Sequence, residues 1–354
     1  MLLIDFVNVG YGDCILIREL EEKRTIFTML VDCGDVHIPV PKGSARISAA
    51  GFLQMEKVEH LDLVVITHLH LDHVGGLAQV MEHCTIGQVW CNHLPPESFW
   101  GKQLMGQCPL SPGAENLCTA YNIFSKSLKQ LKAKGTIIRR VHQTQGKNLL
   151  GSGNLQVSVF SGDNALCAKQ DAIWQSAIQP EMESRSLADL DSWINDTSIR
   201  IRLSWKGWEI ELPGDLGTTH WQRTEPGPCD ILKLPHHGHR QCLTPHLLKQ
   251  FSPISTVISV SNDRTDNCPS HEILALLQGQ GCEVLFTDAF LWKDNELHHP
   301  CVRFLLKGKP RAGDRLCSAA VSQTQSGQPT KQDVLMNADL AHPAQPCLYY
   351  TKNA

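Results

Sequence analysis

Short apolar runs broken by polar, glycine-bearing turns fill the start of the chain, and this alternation predicts strands. Residues 2–6, 14–18 and 25–31 read as three strands, the first two joined by a turn at 8–13 that holds Gly10 and Gly12. The period then changes. Residues 44–57 place Ile47, Phe52, Leu53 and Met55 on one helical face, with Ser44 as the expected N-cap. The run Leu61-Asp62-Leu63-Val64-Val65-Ile66 suits a buried strand and is too short for a helix. A helix over 77–81 and a strand over 88–91 follow, and 92–114, rich in Pro, Gly and Ser, reads as a long loop.

The rest of the chain alternates in a similar way. A helix is expected over 115–134 and strands over 136–141 and 155–160, followed by a polar, partly helical insertion at 163–193 that could cover a site. Residues 199–205 and 208–212 form a hairpin around Lys206-Gly207. A strand at 229–234, a helix at 245–250, a strand at 256–260, a helix at 271–278 and a strand at 283–287 complete the pattern. It predicts the α/β (α+β) class, with two sheets packed between helical layers as an αββα sandwich. Residues 1–308 are expected to form one domain with insertions at about 92–135 and 163–193, and 309–354 an appendage of unknown role.

Composition narrows the function. The chain is 354 residues with 42% hydrophobic and 19% charged side chains, a globular balance with room for a core. Its net charge of −4 provides no overall field for nucleic acid, so a polynucleotide would need a local basic rim. Lys126, Lys129, Lys132 and Lys134 supply either such a rim or a plain solvated face. Fourteen cysteines without a C-x-x-C pair suggest neither a zinc ribbon nor a disulfide framework. Reduced thiols, no apolar run of membrane-span length and an N-terminus without a basic region lead to a cytoplasmic expectation and no membrane partner.

The chemistry concentrates at 67–76, THLHLDHVGG, directly after the buried run. In an extended segment His68 and His70 share a face, while Asp72 and His73 swing to a second point as the chain turns, so one loop can serve two metal ions. A histidine-rich surface loop is the plain alternative. Imidazole and carboxylate donors suit Zn, Mn or Fe, and the lack of a nearby cysteine argues against a closed structural zinc site. Gly75-Gly76 permit close backbone packing beneath. Further along, hairpin pairing sets Ser198 opposite 212–214 and brings Asp196 near Asp215, and the 229–234 strand ends in Pro235-His236-His237-Gly238. His93 and His142 follow predicted strands and fit the surface better than a cleft; His298 and His299 read as a turn. There is no phosphate-binding loop, dinucleotide fingerprint or G-x-S-x-G elbow.

The H-x-H-x-D-H stretch resembles the signature of the metallo-β-lactamase fold superfamily. IDFVNVGYGDCILIRE with MLVDCGD, NDTSIRIRLSWKGWEIELPGD and DILKLPHHG resemble the VGxGD…IDxG, NDxS…GD and DxLKxxHHG elements of ComEC-like metallo-hydrolase domains. The resemblance implies two divalent ions, zinc first, between two sheets. His68, His70, Asp72, His73 and His236 would ligate and Asp215 would bridge, with Asp32 orienting the metal loop and Asn195 and Ser198 in support. This chain departs from the pattern twice. No separate histidine precedes the Gly-Asp element, so the first site is completed by Asp196, by Asp215 alone or by water. Cys268-Pro269 stands where a His-Pro pair is usual, with His271 two residues beyond, so a thiol or a displaced imidazole does that job or the job is lost.

The implied reaction is hydrolysis by a metal-bridged hydroxide held near Asp72, with His237 or His271 protonating the leaving group. A phosphodiester in nucleic acid is the first substrate expected, touched also by Trp100, Lys129 and Lys132. A small-molecule hydrolase acting on a thioester, lactone or cyclic nucleotide is the alternative, and a non-catalytic, metal-stabilised partner-binding protein is a third.

Overall fold

The computed structural model describes residues 1–41, 44–104, 111–141, 148–160, 164–177, 184–219, 221, 226–261, 268–288, 299–308 and 348–353, which leaves His142 and His298 outside. One sheet contains β1 (Leu2–Val7), β2 (Ile15–Glu21), β3 (Arg24–Val31), β4 (His60–Ile66), β5 (Thr85–Cys91), β6 (Ile137–Arg140), β14 (Cys301–Lys307) and β15 (Leu348–Asn353). Its order is β15-β14-β1-β2-β3-β4-β5-β6. The other contains β7 (Asn148–Ser152), β8 (Leu155–Phe160), β9 (Arg200–Trp205), β10 (Trp208–Leu212), β11 (Ile231–Lys233), β12 (Ser255–Ile258) and β13 (Glu283–Phe286), in the order β13-β12-β11-β10-β9-β8-β7. β3 to β6 run parallel, as do β10 to β13.

The period of two in the strands produces the layers. On β4, Leu63 and Val65 face the other sheet and pack with Ile201, Leu203 and Ile210, while Val64 and Ile66 face helices. Those helices are α1 (Ala49–Met55), α2 (Leu71–Val74), α3 (Leu77–His83) and α4 (Pro112–Ala133), which bury Phe52, Leu77, Tyr121 and Phe124. The insertion forms α5 (Asn164–Ala177) and α6 (Ser184–Asp191); Trp174 stacks on Tyr121 of α4 at 4.8 Å, and Leu187 and Leu190 join the same core. Behind the second sheet, α7 (Pro245–Phe251) and α8 (His271–Gly279) bury Leu248, Phe251, Ile273 and Leu277. The result is the αββα sandwich, and truncating any of these leucines to alanine costs about 2–5 kcal/mol.

Three expectations shift. The first helix begins at Ala49 behind Ser48, whose hydroxyl accepts from the Gly51 amide, and not behind Ser44. Arg46 explains the delay: its guanidinium reaches Asp288 and Ser261 across the molecule, which holds 44–48 out of helix. The long helix starts at Pro112, earlier than expected, because Ser111 caps it and proline needs no amide partner at the first turn. Within the expected appendage, Leu348–Asn353 is a parallel edge strand on β14.

Candidate metal centre

Every loop that carries the candidate donors leaves the C-terminal end of a strand: β3 gives Asp32, β4 gives 67–73, β10 gives Asp215 and β11 gives 236–238. Two glycines let these loops touch. Gly12 has φ +116°, and a Cβ there would stand 2.2 Å from the Asp72 carbonyl oxygen. Next to it the Asp13 amide donates to that same carbonyl, so the β1–β2 turn lies against the metal loop. A Cβ on Gly76 would meet the Cys33 carbonyl oxygen at 2.2 Å.

Outer partners then turn each imidazole. Asp32 accepts from the Thr67 amide (2.8 Å) and hydroxyl (2.7 Å) and lies 2.8 Å from His73 Nδ1, which aims His73 Nε2 inward. His237 Nδ1 donates to the Ser259 carbonyl at 3.2 Å and likewise presents Nε2. Because the Thr67 hydroxyl donates to Asp32, it accepts from His68 Nδ1 at 3.1 Å. That leaves His68 Nε2 facing His70 Nδ1, 3.1 Å away.

His237 Nε2 lies 3.3 Å from Asp72 Oδ2 and 3.4 Å from Asp215 Oδ2, and His73 Nε2 lies 3.4 Å from Asp215 Oδ2 and 3.7 Å from Asp72 Oδ2. Bonds of about 2.0–2.1 Å to a tetrahedral zinc set ligand atoms about 3.3–3.4 Å apart; the four imidazole–carboxylate separations are close to that, and Asp72, His73 and His237 each put one donor atom inside a 4.8 Å span. Both Nε2 atoms are buried without a hydrogen-bond partner. His68, His73 and Asp215 form an overlapping trio, with one donor atom of each inside a 4.8 Å span.

Charge supports the same fit. Asp13, Asp32, Asp72 and Asp215 surround the centre with Lys233 as the buried ammonium among them, so four negative charges meet one positive and the formal balance is −3. Lys233 contacts Asp13 and donates to the Gly214 carbonyl and Asp215. Burial opposes charge on Asp215, but His237, His73 and Lys233 outweigh it and hold the carboxyl well below its ordinary range. Burial also opposes charge on His237, yet Asp215 and Asp72 push it up to about 9; His73 is raised in the same way. His68, pressed by burial and its neighbouring histidines, is lowered and keeps its lone pair. The carboxylates thus favour positive charge at the two imidazoles.

Of the two adjacent histidines, His237 rather than the expected His236 faces the carboxylates. His236 and His237 have φ of +46° and +51°, a left-handed step that points His237, not His236, at Asp72 and Asp215. His236 Nε2 instead lies 3.3 Å from Asn195 Nδ2, and burial lowers its pKa to about 4. Asp196 is also drawn away, since it accepts from the Gly217 amide and the Thr219 hydroxyl and so organises the loop after Asp215. Ser198 accepts from the Asp215 amide at 3.3 Å. His271 is exposed at the start of α8, and no contact between it and the donors above is seen among the described residues. Cys268 is half-buried, and the proline after it packs beneath Gly238.

Trp100 is half-buried and donates to the Pro95 carbonyl, Lys132 pairs with Glu97, and the Lys129 stem lies over Gly101. Those lysines sit near the C-terminal end of α4, about 25 Å along its axis from Gly113, where the helix approaches the metal loop through Asp191. His93 is buried against Asp171 at 2.7 Å rather than at the surface. Two participants escaped sequence reasoning. Asp13 stood in the quoted VGxGD turn, and Lys233 is a lone lysine inside an apolar strand, a position that demands a carboxylate partner.

Residues 7–107 match the family model of the metallo-beta-lactamase superfamily. ComE operon protein 3 of Bacillus subtilis (strain 168) is 21% identical over 300 residues, which span 80% of this chain and 32% of that protein. The chain therefore spans about a third of its curated relative. Among solved structures, the metallo-beta-lactamase fold protein YhfI from Bacillus subtilis is 12% identical with a TM-score of 0.44, covering 82% of this chain and 98% of that one.

Proposed function

From the premise that this chain has the metallo-β-lactamase fold of a hydrolase and is ComEC-like in sequence, we propose that it is a two-cation phosphodiesterase. One observation carries the reading: two buried imidazole nitrogens without hydrogen bonds each lie 3.3–3.7 Å from both of two carboxylates, within a surplus of negative charge. Asp72, His73, His237 and Asp215 would hold one cation, and His68 and His70 would hold the second beside Asp215. Zinc there would supply Lewis acidity and lower the pKa of water.

The chain's own groups do the rest. Asp32, Thr67 and Ser259 fix which imidazole nitrogen faces inward, and Lys233 holds Asp13 and Asp215 in place. His236 with Asn195 forms a neutral polar pair beside the donors, suited to hydrogen-bond a substrate oxygen. Among the described residues no helix is long and apolar enough to cross a membrane, and no disulfide joins the described cysteines; we place the reading in a reducing compartment.

A small-molecule substrate is the second reading, and a specific contact favours it: Asp191 of the insertion reaches His70, so α6 borders the centre while the α4 lysines are remote. The test is turnover of bis(p-nitrophenyl) phosphate and of single-stranded DNA, with zinc analysis of the same preparations. Metal-dependent cleavage of the small diester is expected. No cleavage of either by protein loaded with two zinc ions would overturn phosphodiester chemistry, and cleavage of the small diester alone would favour the second reading.

A further inference from the structure

The first cation position lacks the separate histidine that completes it in the pattern, so what secures His68 and His70 matters. His70 Nδ1 faces His68 Nε2 at 3.1 Å, and the opposite ring nitrogen, Nε2, lies 3.4 Å from Asp191 Oδ1. Asp191 is the last residue of α6, the second helix of the insertion. Its other oxygen presses on the first turn of α4, where a Cβ on Gly113 would come within 2.0 Å of Oδ2. That turn begins at Pro112, which has no amide hydrogen, and Ser111 accepts from the Ala114 and Glu115 amides, so the remaining Gly113 amide and the positive helix end favour a carboxylate.

We propose that Asp191 is a positioning residue for the first cation site, supplied by the insertion. Its carboxylate accepts from the His70 Nε2–H and fixes the tautomer in which Nδ1 carries the lone pair. The three other histidines of the centre already have such outer partners, Thr67, Asp32 and Ser259, all on sheet strands or the turns that end them. His70 alone is governed from the insertion. Gly113 is glycine because the carboxylate occupies the space of its side chain.

The inference rests on the two-cation reading, and the test separates the two. Zinc is titrated into the metal-free full chain against a chromogenic chelator, for wild type, D191A, D191E and G113A, with thermal midpoints of each metal-free protein. Wild type should bind two ions in distinguishable steps. D191A should weaken the weaker step by about 10–100-fold, as loss of an outer partner does, and leave the tighter step unchanged, with the metal-free midpoint lowered only slightly by the lost helix-end charge. D191E should recover most of the affinity. G113A should weaken the same step although it keeps the aspartate and improves helix propensity, because its methyl displaces the carboxylate. A single step in wild type would overturn both the two-cation reading and this inference. Two steps that D191A leaves untouched, or a loss in both steps tracking a lower midpoint, would overturn the inference alone.

Discussion

Two clusters of buried charge in this molecule are built to opposite ends. On β1, β2 and β14, Asp5 meets Arg18 and Arg303, and both arginines reach Glu56 of the first helix's C-cap at 2.7 and 2.8 Å. Two cations face two anions there, and all four carboxylate oxygens are engaged. At the metal centre four carboxylates face one lysine, and two imidazole nitrogens are left without partners. The first cluster balances its charge within the chain, with Arg18 Nε its one buried atom lacking a hydrogen bond, and serves the fold. The second is complete only with something cationic added, and that incompleteness marks a binding site more clearly than burial or pKa does.

The comparison breaks most sharply at its two central aspartates. Asp215→Asn should remove both ions and reduce hydrolysis to background while the metal-free melting temperature falls only modestly, because His73, His237 and Lys233 lose one of their carboxylate partners. Asp5→Ala should do the reverse, destabilising the fold by about 3–5 kcal/mol through two stranded guanidinium groups while the folded fraction keeps its metal stoichiometry. Elemental analysis and denaturant unfolding of both variants decide. If both variants lose metal and stability in proportion, the distinction between the clusters fails.

A smaller effect separates the neighbouring histidines. His237→Ala should lose one ion per chain, whereas His236→Ala should keep both and raise KM or lower kcat, since its imidazole faces Asn195 and not the donors. Equal metal loss in the two variants would reverse the assignment drawn from their backbone geometry.

The pH response should be smaller still. His237 in the metal-free fold is raised from about 6.5 to about 9, so its contribution is fully present below 6.5 and disappears as pH rises through 9. The metal-free midpoint should therefore decline between pH 7 and 9.5, and the zinc-loaded midpoint should not, because a cation has replaced the proton. Asp5 is lowered, so its contribution is lost only as pH falls below the ordinary carboxylate range and plays no part in that window. Midpoints across pH with and without a chelator measure this; parallel curves would contradict it. The smallest effect is expected at Lys132→Glu, whose exposed pairing with Glu97 is worth under about 1 kcal/mol and which should leave turnover of a small diester unaltered.

Much of this was legible in the sequence. The strand-ending histidine loop, the hairpin that presents Asp215 beside Ser198 and the layered alternation all follow from local periods and turn residues, which sequence reports directly. The choice between His236 and His237 was not legible, because it depends on two successive left-handed backbone steps that no side-chain pattern announces. Nor were the fates of Asp196, taken by the loop it caps, or Arg46, drawn across the molecule to Asp288; both follow from partners distant in sequence. Asp191 lay in a segment without periodicity strong enough to place it.

The four donors proposed for one cation come in equal number from the two sheets: Asp72 and His73 follow β4, and Asp215 and His237 follow β10 and β11. A cation gripped by all four would cross-link segments more than a hundred residues apart along the chain, closing a very long loop. Pulling the sandwich open would then require the ion to depart first. Resistance to proteases would follow the ion's residence time, and a chelator would act on this protein as a reductant acts on a disulfide-stapled one.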